Sequence, residues 1–240
     1  MERQLLIVLT VILMTAGCQQ LPVNGPNTTE TSDDIPTENT NANLYASYDI
    51  WQYLILNNTE SNDYSLNERT LFYMNMHLKD DEKFTEYLND SYYFLYFVIN
   101  ELEKANLPLE LSLIPYIESN YDPFSISASG AVGMWQFMPR TGRFYNLNRS
   151  WWNEDRHDPY QSTEAAIEYL KYLYVRFDKN ILLTLAAYNA GPSLLDKRIK
   201  QNKRKGLKTD FWSLDLPNQT RDYIPKYLAL RELIFNSTNY

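Results

Sequence analysis

A single cysteine, Cys18, stands in 240 residues, so no disulfide can close within the chain. The two histidines, His77 and His157, lie far apart and lack ligand spacing, which leaves no zinc-type motif to read. Glycine is sparse, at seven. No phosphate-cradling loop and no G-x-S-x-G nucleophile elbow can be found, nor does any repeat recur at a period of roughly 20 to 50 residues. Lysine and arginine are missing from residues 19–68, which hold eight acidic residues, whereas residues 69–240 carry 21 of each sign. The net charge of −8 therefore sits mostly ahead of the candidate folded region, and it argues against nucleic acid as a partner. Long apolar runs are scarce too. Only residues 5–14, broken by Thr10, form one, and it is about half of the roughly 20 residues that a membrane span requires.

That one run begins the reading of what is present. "MERQLLIVLTVILMTAGC" has Arg3 in a short basic region, an apolar stretch, then small residues, the order of an export signal. Its ending, "TAGC", resembles the lipobox of bacterial lipoproteins, with Thr15 where leucine is commoner. The resemblance implies removal of residues 1–17 and acylation of Cys18, whose chains would anchor the protein to a membrane. Gln19 after the cysteine implies sorting to the outer membrane, with the protein facing the periplasm of a Gram-negative cell. Residues 18–43 are rich in Asn, Thr, Pro and acids and offer almost nothing to bury, which predicts a flexible tether.

With 44% hydrophobic and 22% charged residues the remainder reads as globular, and its periodicity is helical throughout. Residues 44–84 form an N-terminal helical segment, with Leu44 to Leu56 supplying groups that pack, a loop over 57–67 and a helix over 69–78. A helix over 86–108 places Leu88, Tyr92, Leu95, Ile99 and Leu102 on one face and ends at Pro108. A short apolar helix follows over 109–117, then a longer one over 162–177 with Ser162 as N-cap. Another spans 181–191 and stops at Gly191 and Pro192. The last covers 217–235, with Pro225 early in it. Strand signals are few, so the fold class is mainly α. The basic run over 197–208 is read as a solvated helix face and loop.

Glu118 ends an apolar run that includes Leu111, Leu113, Ile114 and Ile117. A carboxylate against apolar surface loses hydration, so its pKa rises, and a carboxylic acid still protonated near neutrality can protonate a leaving oxygen. A solvated or salt-bridged glutamate at a helix end is the plainer alternative. The residues that follow, "ESNYDPFSISASGAVGMWQFMP", resemble the signature of lytic transglycosylases of the Slt family. Glu118, Ser119, Tyr121, Pro123, Ser127, Gly130, Ala131, Gly133, Gln136, Met138 and Pro139 match it in order and spacing. "AAYNAG" at 186–191 matches a second motif, and the tail from Asn202 to Leu230 is similar to the membrane-bound, MltD-like branch. The resemblance covers residues 85–236 and implies a lysozyme-like transglycosylase domain there.

It also implies the chemistry. Enzymes of this family cut the β-1,4 bond between N-acetylmuramic acid and N-acetylglucosamine in peptidoglycan without water, closing a 1,6-anhydro ring. Glu118 would be the catalytic acid and then base, needing no partner carboxylate because the substrate's acetamido group stabilises the positive charge at C1. Asp122, the nearest other acid, reads as a turn residue before Pro123. Ser127, Gln136, Met138, Tyr188, Asn189, Gln219 and Tyr223 fall on substrate-binding positions. Met138 could equally fill the core, Tyr188 could bond backbone instead of pointing at the acid, and Asn189 could cap its helix. Trp135 stacks on sugar or packs inside. Gln219 stands where the family commonly has glutamate, which removes a charge from the cleft. The C-terminal LysM repeats common in this branch are not expected, with the sequence running only to Tyr240. No cofactor is implied. The expected partners are peptidoglycan strands and, through Cys18, a membrane. A hydrolytic muramidase of the same fold and a non-catalytic wall-binding lipoprotein are the alternatives.

Overall fold

The computed structural model describes residues 49–58, 64 and 66–236. Residues 1–48, with the expected export signal, Cys18 and the expected tether, lie outside the described residues. Within the described residues the structure is helices joined by loops, and only isolated bridges such as Val132 to Phe137 represent β pairing.

Helix α1 (Ile50–Asn57) starts where Asp49 accepts a hydrogen bond from the Trp51 amide, and it buries Ile50 and Leu54 in the main core. Helix α2 (Glu68–Lys79), capped by Asn67, lies against the last helix through Met74, Ala229 and Leu233. Helix α3 (Asp81–Lys104) is the long one. Its inward face is Ser91, Leu95, Val98, Ile99 and Leu102, all buried. Tyr92, expected on that face, is turned out and 49% exposed, because the stripe runs one position earlier at its start. Nor does Pro108 end the helix. The chain leaves it at Lys104, with Asn106 in the left-handed conformation and the Leu107 amide donating to the Leu102 carbonyl oxygen.

A buried 3-10 turn (Leu109–Leu113) then feeds α4 (Ile114–Ser119), the short helix that carries Glu118. After a compact loop come α5 (Pro139–Phe144) and α6 (Pro159–Arg176). The N-cap of α6 is Asp158, which accepts from the Tyr160 and Gln161 amides, with Pro159 in the first turn. Ser162, expected in that role, is one turn inside and fully buried. Helix α7 (Ile181–Ala190) is apolar on nearly every side and runs through the core. Asn180 caps its start and Gly191, at φ +85°, its end. Helices α8 (Pro192–Arg204) and α9 (Asn218–Phe235) complete the fold, with Pro225 inside α9.

The Arg231 guanidinium of α9 pairs with the fully buried Glu110 carboxylate of the 3-10 turn that leads into α4. Removing one partner from such a pair leaves an uncompensated buried charge. Arg231→Met is expected to lower unfolding stability by roughly 3–5 kcal/mol, and Glu110→Met with Arg231→Met together by clearly less. Urea unfolding midpoints of the two variants check this, and equal losses would contradict it.

Candidate active site

Helix α4 is only six residues long because Asn120 and Tyr121, at φ +53° and +63°, both turn left-handed and stop it. An aromatic residue adopts that backbone at a cost. Tyr121 is held there by burial and by its hydroxyl, which donates to the Ser112 carbonyl oxygen at 2.5 Å. The stop leaves Glu118 in the last turn, facing a cleft of about 570 Å³. It is the one carboxylate among the cleft's lining residues.

The carboxyl is crowded by protein and only partly open to the cleft. Loss of hydration pushes its pKa up to about 7, while the Tyr223 hydroxyl and the Lys226 ammonium pull in the opposite direction. The Tyr223 hydroxyl, from α9, donates to Glu118 Oε1 at 2.8 Å. That leaves Oε2 to carry a proton. Burial, and after it the neighbouring Glu118 charge, holds the Tyr223 hydroxyl well above the usual tyrosine range, so it stays a donor.

The opposite wall is the loop over 123–138. Gly133 sits at φ +81°, and a Cβ there would lie 1.8 Å from the Arg156 carbonyl oxygen, so no other residue fits. Arg156 is the loop's internal clamp. It pairs with Glu154 through two nitrogens at 2.7 Å and donates to the carbonyl oxygens of Phe137 at 2.8 Å and Gly130 at 3.2 Å. His157 Nδ1 lies 2.8 Å from the Pro123 carbonyl oxygen. Next to the acid, Ser119 Oγ donates to the Met134 carbonyl oxygen at 2.9 Å and ties α4 to the loop.

The residues expected at the site converge on this cleft. Ser127 lines it, and its hydroxyl accepts from the Ala131 amide at 2.9 Å and lies 3.0 Å from Ser129 Oγ. Gln136, at φ +50°, lines the cleft and spends its amide on the Gly133 and Ser125 carbonyl oxygens, which stiffens the loop. Met138 is 43% exposed in the cleft wall and does not fill the core. Trp135 does the reverse, fully buried with its indole donating to Thr163. Tyr188 lines the cleft, yet its hydroxyl donates to the Trp135 carbonyl oxygen at 2.7 Å, not to Glu118. Asn189 accepts from Thr220 at 2.9 Å, joining the end of α7 to the start of α9, while Gly191 closes the helix. Gln219 is exposed in the first turn of α9, at the cleft rim. Asp122 forms the expected turn by accepting from the Phe124 amide.

The sequence reading did not single out Arg156, Tyr169, Thr141 and Lys226. All but Arg156 line the cleft directly. The run "EDRHDP" at 154–159, dense in charge within a polar loop, was the available signal for Arg156.

Residues 96–211 match the family model described as the transglycosylase SLT domain. Over 147 residues the chain is 44% identical to the membrane-bound lytic murein transglycosylase D of Escherichia coli (strain K12), covering 61% of this chain and 32% of that protein. It is 37% identical over 112 residues to a putative tributyltin chloride resistance protein of Alteromonas sp. (strain M-1), covering 47% of this chain and 54% of the other. The chain thus spans about a third to a half of the length of these curated relatives. Among solved structures, the 70 kDa soluble lytic transglycosylase of Escherichia coli aligns with a TM-score of 0.48 at 20% identity, covering 78% of this chain and 32% of that one.

The dehydrated acid has a stability consequence. A carboxyl at about 7 in the folded chain and 4.5 when unfolded contributes stability that is intact below about 4.5 and lost as pH rises through 7. Glu118→Gln is therefore expected to stabilise the protein at pH 8 by roughly 1–2 kcal/mol, allowing for water in the cleft, and to change little at pH 4. Denaturant unfolding at the two pH values checks it, and a pH-independent difference would contradict it.

Proposed function

We propose that this chain, which carries a transglycosylase SLT domain over residues 96–211, cleaves the β-1,4 bond between N-acetylmuramic acid and N-acetylglucosamine in peptidoglycan. The product is a 1,6-anhydromuramoyl end. The single observation behind the reading is Glu118 standing as the lone carboxylate of the cleft, with its pKa pushed up to about 7 and one oxygen engaged by Tyr223. The relatives' names, as membrane-bound murein transglycosylases, agree with it.

The chemistry follows from one carboxyl used twice. Protonated Glu118 gives its proton from Oε2 to the glycosidic oxygen as the bond to C1 breaks. The substrate's acetamido oxygen supports the positive charge at C1, as in substrate-assisted glycosidases, so no second carboxylate is needed. Glu118, now charged and steadied by the Tyr223 hydroxyl, takes the proton of the muramoyl C6 hydroxyl, whose oxygen closes on C1. No water is consumed. Ser127, Gln136, Met138, Tyr188, Asn189 and Gln219 hold the sugars along the cleft, Gln219 as a neutral contact. Acylation of Cys18 would tether the enzyme to the outer membrane, facing the periplasm. No helix among the described residues is long and apolar enough to cross a membrane.

Digestion of purified sacculi is expected to release muropeptides lighter by one water than hydrated ones, and Glu118→Gln to release none. Hydrated products would identify a muramidase, and no products from a folded parent protein would leave a wall-binding lipoprotein. Because the acid form starts the reaction, kcat/KM is expected to fall as pH rises through about 7. Tyr223→Phe removes a hydrogen bond that lowers that value, so its basic limb should move to higher pH; a limb moved to lower pH would contradict the assignment.

A further inference from the structure

A second cavity, of about 370 Å³, adjoins the catalytic cleft. The two share Ile117 and Lys226 as wall residues, and none of the 123–138 loop reaches the second one. Most of its wall comes from α2, the turn after it and the first part of α3, that is from residues 73–87. These precede the segment that matches the SLT domain. The lining is aromatic to an unusual degree. Phe84, Tyr87 and His77 pack edge-on or tilted around Tyr116, with centroids 6.0 to 6.3 Å from its ring, and Tyr73 stands on the α2 side. Burial holds His77 below the ordinary imidazole value, so it presents an uncharged ring near neutral pH. Charge of both signs marks the rim. Lys83 lies 5.6 Å from the Tyr87 ring centre, Lys226 lies 5.4 Å from that of Tyr73, and Asp80 completes the wall.

We infer that this cavity is a further saccharide subsite, which receives pyranose rings of the same glycan strand that occupies the catalytic cleft. The inference rests on the reading of that cleft as a glycan site. A pyranose ring has apolar C–H faces and hydroxyls at its edge. An aromatic wall accepts the faces, while ammonium groups at the rim donate hydrogen bonds to the edge and a carboxylate accepts them. The volume falls within the ordinary range for small-ligand sites, about 300–1,000 Å³. A peptide rich in carboxylates would call for a predominantly basic pocket, whereas this rim is mixed. Ile117, the residue next to Glu118, and Lys226 belong to both walls, so the second cavity lies directly beside the acid, within reach of a strand bound in the cleft. The helices ahead of the SLT segment would then set how many sugars the enzyme grips.

The full chain with Glu118→Gln binds without turnover, so isothermal titration with peptide-free N-acetylglucosamine oligosaccharides of increasing length tests this. Affinity should rise with length beyond what the catalytic cleft alone holds. Adding Tyr87→Ser should remove the gain for the longer oligosaccharides by about tenfold, the worth of one ring contact, and leave the shortest unaffected. Met76 is 53% exposed in the cavity wall, so Met76→Arg places a long charged chain over the aromatic wall without disturbing the core and should give the same loss. Unchanged binding at every length in both variants would overturn the subsite and leave the catalytic reading intact. A gain seen only with peptide-bearing fragments would also overturn it, by making the stem peptide the occupant. A folded parent protein that binds no oligosaccharide of any length would overturn the glycan reading of the cleft itself.

Discussion

A carboxyl that is to hold its proton near neutral pH has to be kept short of water, although this one also faces an open cleft. In this protein both demands meet at the last turn of α4. The helix stops after six residues, forced by two consecutive left-handed positions, so Glu118 emerges at the rim of the core instead of continuing along a solvated face. Apolar packing below withdraws hydration, the cleft opens above, and one hydroxyl from α9 reaches the carboxylate. Because the carboxylate is destabilised, the site carries an energetic cost that the core has to bear.

The support for that cost is spread over elements distant in the chain. The 3-10 turn ahead of α4 is completely buried and holds its Glu110 against Arg231 of α9. The same helix α9 supplies Tyr223 to the acid and Thr220 to Asn189 of α7. Its position is therefore fixed at several points along its length, which matters because Pro225 removes one of its internal amide donors. Across the cleft, a single buried guanidinium gathers the 123–138 loop by two of its carbonyl oxygens, and Ser119 ties that loop back to α4. The two walls are thus preorganised, as electrostatic work on a developing charge requires.

Much of the site could be read from the order of residue types. Glu118 at the end of an apolar run, the glycines of the following loop and the Asp122 turn follow from local rules of burial, positive φ and side-chain capping, whereas Met138 was left open between cleft and core. Helices α2, α3, α6, α7 and α9 were legible from periodicity to within a few residues. The errors were local ones of phase and capping. Tyr92 was placed inward by a spacing that Ser91 shares, and Asp158 outcompeted Ser162 because Pro159 behind it is suited to a first helical turn. Trp135 and Tyr188 show a different limit. Each had two chemically sensible roles, and which one it took depended on what stood opposite it.

By itself, then, the sequence determined a mainly helical chain, the acid and the turns that expose it, since these depend on neighbours within a few residues. Tertiary structure alone decided that Tyr223, 105 positions after Glu118, is the hydroxyl that bonds it while Tyr188 turns to backbone. It alone decided that Arg156 clamps the loop and that α2 and the start of α3 wall a second cavity, which shares Ile117 and Lys226 with the cleft. The reason is physical. Helix periods and caps are set by interactions of short range along the chain, whereas hydrogen bonds and cavities between distant elements exist only once packing has chosen which faces meet.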